Sequence, residues 1–216
     1  RRMNVLLISI VALAVLYGWL IIIYCYGWKK LPLQKNIPAT DNSTPVTVII
    51  PARNEQDNIL TCLQAVTSQE YPAHLLEVIV MNDHSTDDTE KLVRSFPAAN
   101  VRIINLSDHI AKDQFISSYK KKAIETGISE AKGELIITTD ADCTMEPQWI
   151  KAIVTCYEQD DCKLIAAPVA FCQENNFFKT FQSLDFLTMQ GITGATIQLC
   201  IGTMCNGANL AYEKKA

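Results

Sequence analysis

Glu134-Leu135-Ile136-Ile137-Thr138-Thr139-Asp140-Ala141-Asp142 is an apolar, β-branched run that ends in two carboxylates one residue apart. The run predicts a buried strand, and the carboxylates fall where the chain leaves the sheet. In open α/β sheets that is the edge where ligands bind. No Lys or Arg occupies the five positions before Asp140. Two carboxylates so placed repel one another unless a cation lies between them. A hard divalent ion takes one or two carboxylates and completes its shell with water and phosphate oxygens. The stretch therefore predicts a metal-assisted site for a phosphate-containing ligand.

Outward from this stretch, strand and helix signals alternate. Apolar β-branched runs predict strands at 46–51, 77–81, 101–106, 135–139 and 164–171. Helical spacing predicts helices at 55–68, 88–96, 117–131, 147–157 and 176–190, with Gly133 stopping the third and Pro147 opening the fourth. Such alternation implies an α/β fold with a mostly parallel sheet and flanking helices, Rossmann-like in its layering. Parallel strands bring their carboxyl ends to one edge. That edge would carry Asn54, Glu55, Asp83, Asp140 and Asp142. Within 83–88, Ser85, Thr86 and Asp87 suit a turn and a helix cap, which leaves Asp83 over at the strand end. His84 reads as a turn residue, and His74 and His109 as surface residues. Several cysteines lie inside apolar runs and read as small core residues. With no C-x-x-C pair, the eight cysteines do not suggest a zinc site.

Several function classes are excluded. There is no G-x-G-x-x-G after a strand, no G-x-x-x-x-G-K-[ST] and no G-x-S-x-G. The net charge of −4 and the lack of a basic stripe argue against nucleic acid as a partner. Lys120, Lys121 and Lys122 form the main basic cluster, readable as a solvated helix face or as part of a site.

The N-terminus has its own character. Residues 3–28 contain no Asp, Glu, Lys or Arg. As a helix they would span roughly 39 Å, more than a bilayer core of about 30 Å. Tyr24, Tyr26 and Trp28 suit an interface at the C-terminal end. The run is too long for a signal peptide and no small-x-small cleavage site follows it. It predicts one transmembrane anchor at 3–28, a linker at 29–45 and a main domain at 46–216. Lys29, Lys30 and Lys35 outnumber Arg1 and Arg2, which favours a cytosolic domain on an inner, plasma membrane. Asn42-Ser-Thr and Asn105-Leu-Ser match the glycosylation pattern, which is too short to carry weight.

Four segments in order, VTVIIPARNE, EVIVMNDHSTDDT, KKKAIETGISEAKGELIITTDADC and CNGANLAYEK, resemble the family 2 glycosyltransferases. The resemblance runs from about Val46 to the C-terminus and extends to the membrane-bound bacterial branch. It implies a GT-A fold, a nucleotide-sugar donor, most simply a UDP-sugar, and Mg²⁺ or Mn²⁺ as cofactor. It implies an inverting transfer to a glycan or lipid acceptor, as in polysaccharide biosynthesis. Residue by residue, Pro51, Ala52, Arg53 and Glu55 match the loop against the nucleoside, and Asp83 the aspartate on the base. Lys120 matches a lysine near the nucleotide, although Tyr119 stands where the family has glycine. Asp140 and Asp142 match the D-x-D pair, Asp142 being the better metal ligand. Gly207, Ala208 and Asn209 match the segment beside donor sugar and acceptor. The family's catalytic base belongs to a later Glu-Asp pair, followed by Q-x-x-R-W. Neither follows Asn209 here, so the resemblance implies an N-terminal part of a longer protein, with its base beyond Ala216 and no transfer by residues 1–216 alone. The competing reading is a non-catalytic nucleotide-sugar-binding or scaffold module. A sugar-nucleotide-forming nucleotidyltransferase would need a glycine-rich signature after the first strand, which 51–55 lacks.

Overall fold

The computed structural model describes residues 2–31, 43–110, 118–160, 162–172, 176–202 and 204–215. Most of the expected linker, Lys35, Asn42 and the start of the third predicted helix at Ser117 lie outside them. The chain forms two compact units. One comprises Arg1–Lys35 with Pro168–Cys205, and the other Asn36–Ala167 with Asn206–Ala216.

The second unit holds a six-stranded sheet built from β1 (Val46–Ala52), β2 (Leu76–Asn82), β3 (Val101–Asn105), β4 (Leu135–Thr139), β5 (Leu164–Ala166) and β6 (Asn209–Glu213), in the order β3-β2-β1-β4-β6-β5. The pairs β1–β2, β1–β4 and β2–β3 are parallel, whereas β6 runs antiparallel to both β4 and β5. Four helices flank it: α2 (Ile59–Thr67), α3 (Thr89–Arg94), α4 (Tyr119–Glu130) and α5 (Trp149–Asp160). Apolar residues on both sides of each central strand explain why both faces are covered. Val48, Ile50, Val78, Val80 and Ile137 pack with Ile59 and Leu63 of α2, Val93 of α3 and Ile150 and Val154 of α5. Ile49, Ile79, Met81 and Ile136 form the opposite core with Ala123 of α4. A Cβ on Gly127 would meet the Ile49 side chain at 2.8 Å, so this glycine lets α4 lie close to the sheet.

Strand order fixes the ligand edge. The chain proceeds from β1 to β2 and β3 on one side, and β4 then pairs with the other side of β1. The connections after β1 and β4 therefore diverge. Such a switch point opens a crevice outside the carboxyl ends of the two strands.

Several predicted bounds move for identifiable reasons. β5 stops at Ala166 rather than 171, because Pro168 has no N–H for a sheet ladder. Residues 55–58 form a turn, Asn58 N–H donating to Glu55 O at 3.0 Å, and α2 starts only after it. Gly133 does not cap the helix, which ends at Glu130. A Cβ there would collide with the Thr47 backbone and its hydroxyl, while Gly133 N–H donates to Thr47 Oγ1 at 2.8 Å. Gly133 is thus the residue that lets the chain cross tightly beneath β1. The antiparallel β6 was not predicted from sequence. Of the cysteines, Cys62 is buried and Cys143 half-buried, but Cys25, Cys172, Cys200 and Cys205 are exposed, which corrects the expectation that several fill the core.

The first unit contains α1 (Arg2–Lys29) and α6 (Phe177–Gln198). Within α1, Asn4–Lys29 is long and apolar enough to cross a membrane, and it is not buried in the protein. Helix α6 continues eight residues past the predicted 190, through Gly191 and Gly194. Gly194 lies against Trp28 and Leu31.

Candidate functional site

At the switch point the structure brings together the sequence-predicted residues of three strand ends. A cleft of about 310 Å³ is lined by Pro51, Ala52, Arg53 and Glu55 after β1, Asp83 after β2, Lys120 on α4, and Asp140, Ala141 and Asp142 after β4. Four of its side chains are carboxylates and two are cationic.

The loops after β1 and β2 are latched together. Asp83 N–H donates to Ala52 O at 2.9 Å, continuing the strand pairing past the sheet. Asn54, at a φ of 57°, accepts from Thr86 N–H at 2.8 Å and donates its own N–H to Ser85 Oγ at 3.1 Å. Left-handed backbone is more accessible to Asn than to most residues. Glu55 N–H donates to Thr89 Oγ1 at 2.8 Å, and Gln56 N–H to Asp87 Oδ2 at 3.1 Å. Asn54, read from sequence as a ligand-edge acceptor, is therefore a structural tie and does not line the cleft. Asp87 serves as a tie as well. Desolvation raises its carboxyl pKa, but hydrogen bonds from Thr89 and Gln56 outweigh this and hold it below the usual range.

With the loops fixed, Asp83 is nearly covered. Arg53 Nη1 lies 3.8 Å from its Oδ2, and His84 Nδ1 2.9 Å from its Oδ1. His84 has a φ of 56° and meets the Tyr119 ring edge-on, centroids 5.6 Å apart. It is a turn residue, as read, but one whose ring touches the site carboxylate. Tyr119, in the position where the family pattern has glycine, supports that ring.

Asp140 is paired. Lys120 Nζ donates to its Oδ1 at 2.7 Å, reaching in from α4. The inference that only an external cation could relieve the carboxylates is corrected by this ammonium, which comes from 20 residues upstream in sequence. Asp142 is exposed, and its nearest recorded partner is the Cys143 thiol, 3.8 Å away. Burial and the neighbouring Asp142 raise the Cys143 thiol pKa, and burial pushes Cys62 up to about 12. Both are therefore thiols at neutral pH.

The donor set suits a hard cation. Asp140 and Asp142 present oxygen ligands at one strand end, and no group of three or more His, Cys, Asp or Glu forms a metal cage among the described residues. Two carboxylates without further protein ligands fit Mg²⁺-type binding, in which substrate phosphates complete the shell.

Gly207, Ala208 and Asn209 do not line this cleft. They lead into β6, where Asn209 pairs with Thr139, the residue before Asp140. Thr138 Oγ1 donates to Gly207 O at 2.8 Å, and Trp149 Nε1 to Asn209 Oδ1 at 2.9 Å. Antiparallel pairing with β4 thus places the segment beside the D-x-D edge. A larger concavity, about 540 Å³, lies between α2 and the loop after β4. Leu60, Ala65, Met145 and Pro147 are among its lining residues, none of which is titratable. It offers no chemistry comparable to the cleft.

The mostly parallel six-stranded sheet with helices on both faces is an α/β domain of the GT-A type. The chain belongs to Glycosyl transferase family 2, whose model matches residues 47–216. It is similar to the glycosyltransferase AglE of Haloferax volcanii, at 33% identity over 147 residues, 67% of this chain and 46% of AglE. It is 28% identical over 153 residues to the 4,4'-diaponeurosporenoate glycosyltransferase of Staphylococcus aureus, 70% of this chain and 38% of that enzyme. The chain spans less than half the length of these curated relatives. Among solved structures, the mannosyltransferase PcManGT from Pyrobaculum calidifontis, in complex with GDP-Man and Mn²⁺, superposes with a TM-score of 0.67 at 21% identity, covering 95% of this chain and 55% of that one. Glucosyl-3-phosphoglycerate synthase of Mycobacterium tuberculosis, in complex with Mn²⁺ and UDP-Glc, gives a TM-score of 0.57 at 16% identity, covering 83% and 59%. At these identities the likeness is one of fold.

Proposed function

We propose that this chain binds the sugar donor of a membrane-anchored, inverting glycosyltransferase. It takes a UDP-sugar as donor and a glycan or lipid as acceptor. The observation that carries the reading is the single cleft at the β1/β4 switch point, which gathers Arg53, Glu55, Asp83, Lys120, Asp140 and Asp142 from four separate segments.

Each residue has a task its chemistry suits. The backbone of 51–53 forms the floor against the nucleoside. Asp83, held by Arg53 and His84, accepts a hydrogen bond from the base N–H. Glu55 accepts from ribose hydroxyls. Lys120 neutralises Asp140 and offers further N–H donors to a phosphate oxygen. Asp142, with Asp140, is the place for Mg²⁺ or Mn²⁺, which when bound offsets charge on the departing diphosphate as a Lewis acid. Inversion requires an acceptor hydroxyl to attack the anomeric carbon as the nucleoside diphosphate leaves. Gly207–Asn209 flank the space where sugar and acceptor meet. The Mn²⁺ and nucleotide sugars in the two solved relatives support this reading.

Residues 3–28 act as the anchor, and Lys29 and Lys30 put the domain on the cytosolic side of the plasma membrane. Nucleotide sugars are supplied on that side. The reading is tested by a binding screen of UDP- and GDP-sugars against the full chain in nanodiscs, with and without Mn²⁺. Metal-dependent binding of a UDP-sugar is expected. Failure of every nucleotide sugar to bind, with the fold intact by circular dichroism, overturns it.

A further inference from the structure

We infer that α6 is an in-plane membrane helix that lays its apolar strip into the headgroup–acyl boundary of the bilayer. The proposal rests on the reading that α1 spans the membrane, and it adds a second lipid contact to it. Phe177, Phe181, Leu184 and Leu187 follow one another at intervals of four, three and three residues, which sets them on one side of the helix. All four are exposed, Phe177 at 88% and Leu184 at 64%, and Phe178 beside them at 66%. So wide an apolar surface on a water-facing helix marks an interaction site.

Lipid is the occupant favoured by what α6 touches. Its C-terminal part packs on the C-terminal end of α1. A methyl group on Gly27 would run into the Ala195 carbonyl and the Leu199 side chain, and Gly194 lies against Trp28 and Leu31. Small residues at this crossing permit the close approach. That end of α1 carries Tyr26, Trp28, Lys29 and Lys30, with Lys30 Nζ 4.5 Å from the Tyr26 ring centroid. Aromatic and basic residues together mark headgroup depth. The crossing therefore pins one end of α6 at the membrane surface.

The rest of α6 is too polar to cross. Among the described helices only α1 meets the length and composition of a span. Lys179 and Gln182 are exposed and project away from the apolar strip, and exposed Asp185 lies at its edge. From an end fixed at headgroup depth, lying in the plane buries the strip and leaves these polar groups hydrated. This is the arrangement of interfacial amphipathic helices.

The test uses the full chain in phosphatidylethanolamine/phosphatidylglycerol vesicles. Two lipid probes are compared, with a photoactivatable diazirine either near the headgroup or at the acyl terminus. Labelled peptides are mapped by mass spectrometry. The expected result is shallow-probe label on 177–187, little deep-probe label there, and both labels on 4–28. In a variant combining Phe178→Ser, Phe181→Ser and Leu184→Ser, label on α6 should fall at least about tenfold while label on α1 is unchanged. Label on α1 without label on α6 overturns the proposal, whether water, a second copy or another protein covers the strip. Equal shallow and deep label on α6 overturns the in-plane placement. Absence of label from α1 would instead defeat the anchor reading.

Discussion

Lys120 Nζ lies 2.7 Å from Asp140 Oδ1, so one carboxylate of the D-x-D pair already has a protein cation. The neighbouring Asp142 carboxylate is exposed and turned to no cation among the described residues. The two aspartates therefore differ in how far the protein compensates their charge.

Replacing Lys120 by Ala should change metal and nucleotide binding in opposite directions. Without the ammonium, Asp140 is uncompensated, and Mn²⁺ alone should bind more tightly. UDP binding should weaken because the cation proposed to meet the phosphates is gone. Both side chains are partly exposed, so each shift should be modest, about three- to tenfold. Isothermal titration of the nanodisc-embedded chain with Mn²⁺, then with UDP, reads both. Unchanged Mn²⁺ affinity would mean that Lys120 does not compete at this site.

Glu77 links three strands at the opposite edge of the sheet. Its carboxylate accepts from Thr47 Oγ1 at 2.8 Å, Arg102 Nε at 3.1 Å and Lys132 N–H at 2.9 Å. Burial raises its pKa, but these bonds outweigh it and the net shift is downward from 4.5. A depressed folded pKa stabilises above the unfolded value, and that stabilisation is lost as pH falls through the folded one. Stability should therefore drop below about pH 4.5. Glu77→Gln should cost about 1–3 kcal/mol at neutral pH and flatten that part of the acid profile. Urea titrations from pH 3 to pH 7 measure it, and an unchanged acid limb would exclude Glu77 as the cause.

Gly133→Ala should destabilise the sheet unit by about 1–3 kcal/mol, because the new methyl meets the β1 backbone rather than a movable side chain. Gly191→Ala in α6 is the control, since nothing lies within 4 Å of a Cβ there. It should be neutral or slightly stabilising. Equal thermal shifts for the two variants would contradict the close approach at 133.

Protease added to intact spheroplasts should spare the sheet unit, and carbonate washing should leave the chain in the membrane. Cleavage within 46–167 from outside, or release by carbonate, would contradict the assigned orientation or the anchor.

The central strands were legible because they are buried on both faces and flanked by turn signals. β4 was read with its observed bounds, and β1 and β2 within one residue at each end. The cleft was legible for the same reason: parallel strands bring 51–55, 83 and 140–142 to one edge. What sequence did not reveal is non-local. Lys120 reaches Asp140 only because α4 packs on β1 and β2. His84 approaches Asp83 because a left-handed turn redirects its ring. Asn54 resembled a ligand until the Ser85–Thr86 loop was seen to occupy it. The pattern of 209–213 carries no strong strand signal, and β6 forms because β4 and β5 offer it ladders on both sides. The helix predicted to end near 190 runs on to Gln198, and Gly194 within that extension serves a helix crossing.

The central claim is that Asp142 makes nucleotide binding at the switch-point cleft depend on a divalent cation. Its most direct test is UDP affinity of the full chain in nanodiscs, with Mn²⁺ and with excess chelator, for wild type and Asp142→Asn. Wild-type UDP should bind at least about tenfold more tightly with Mn²⁺, a coupling of about 1.4 kcal/mol, and Asp142→Asn should abolish most of that difference while changing metal-free binding little. Equal UDP affinity with metal and with chelator, in wild type and variant alike, would contradict the account.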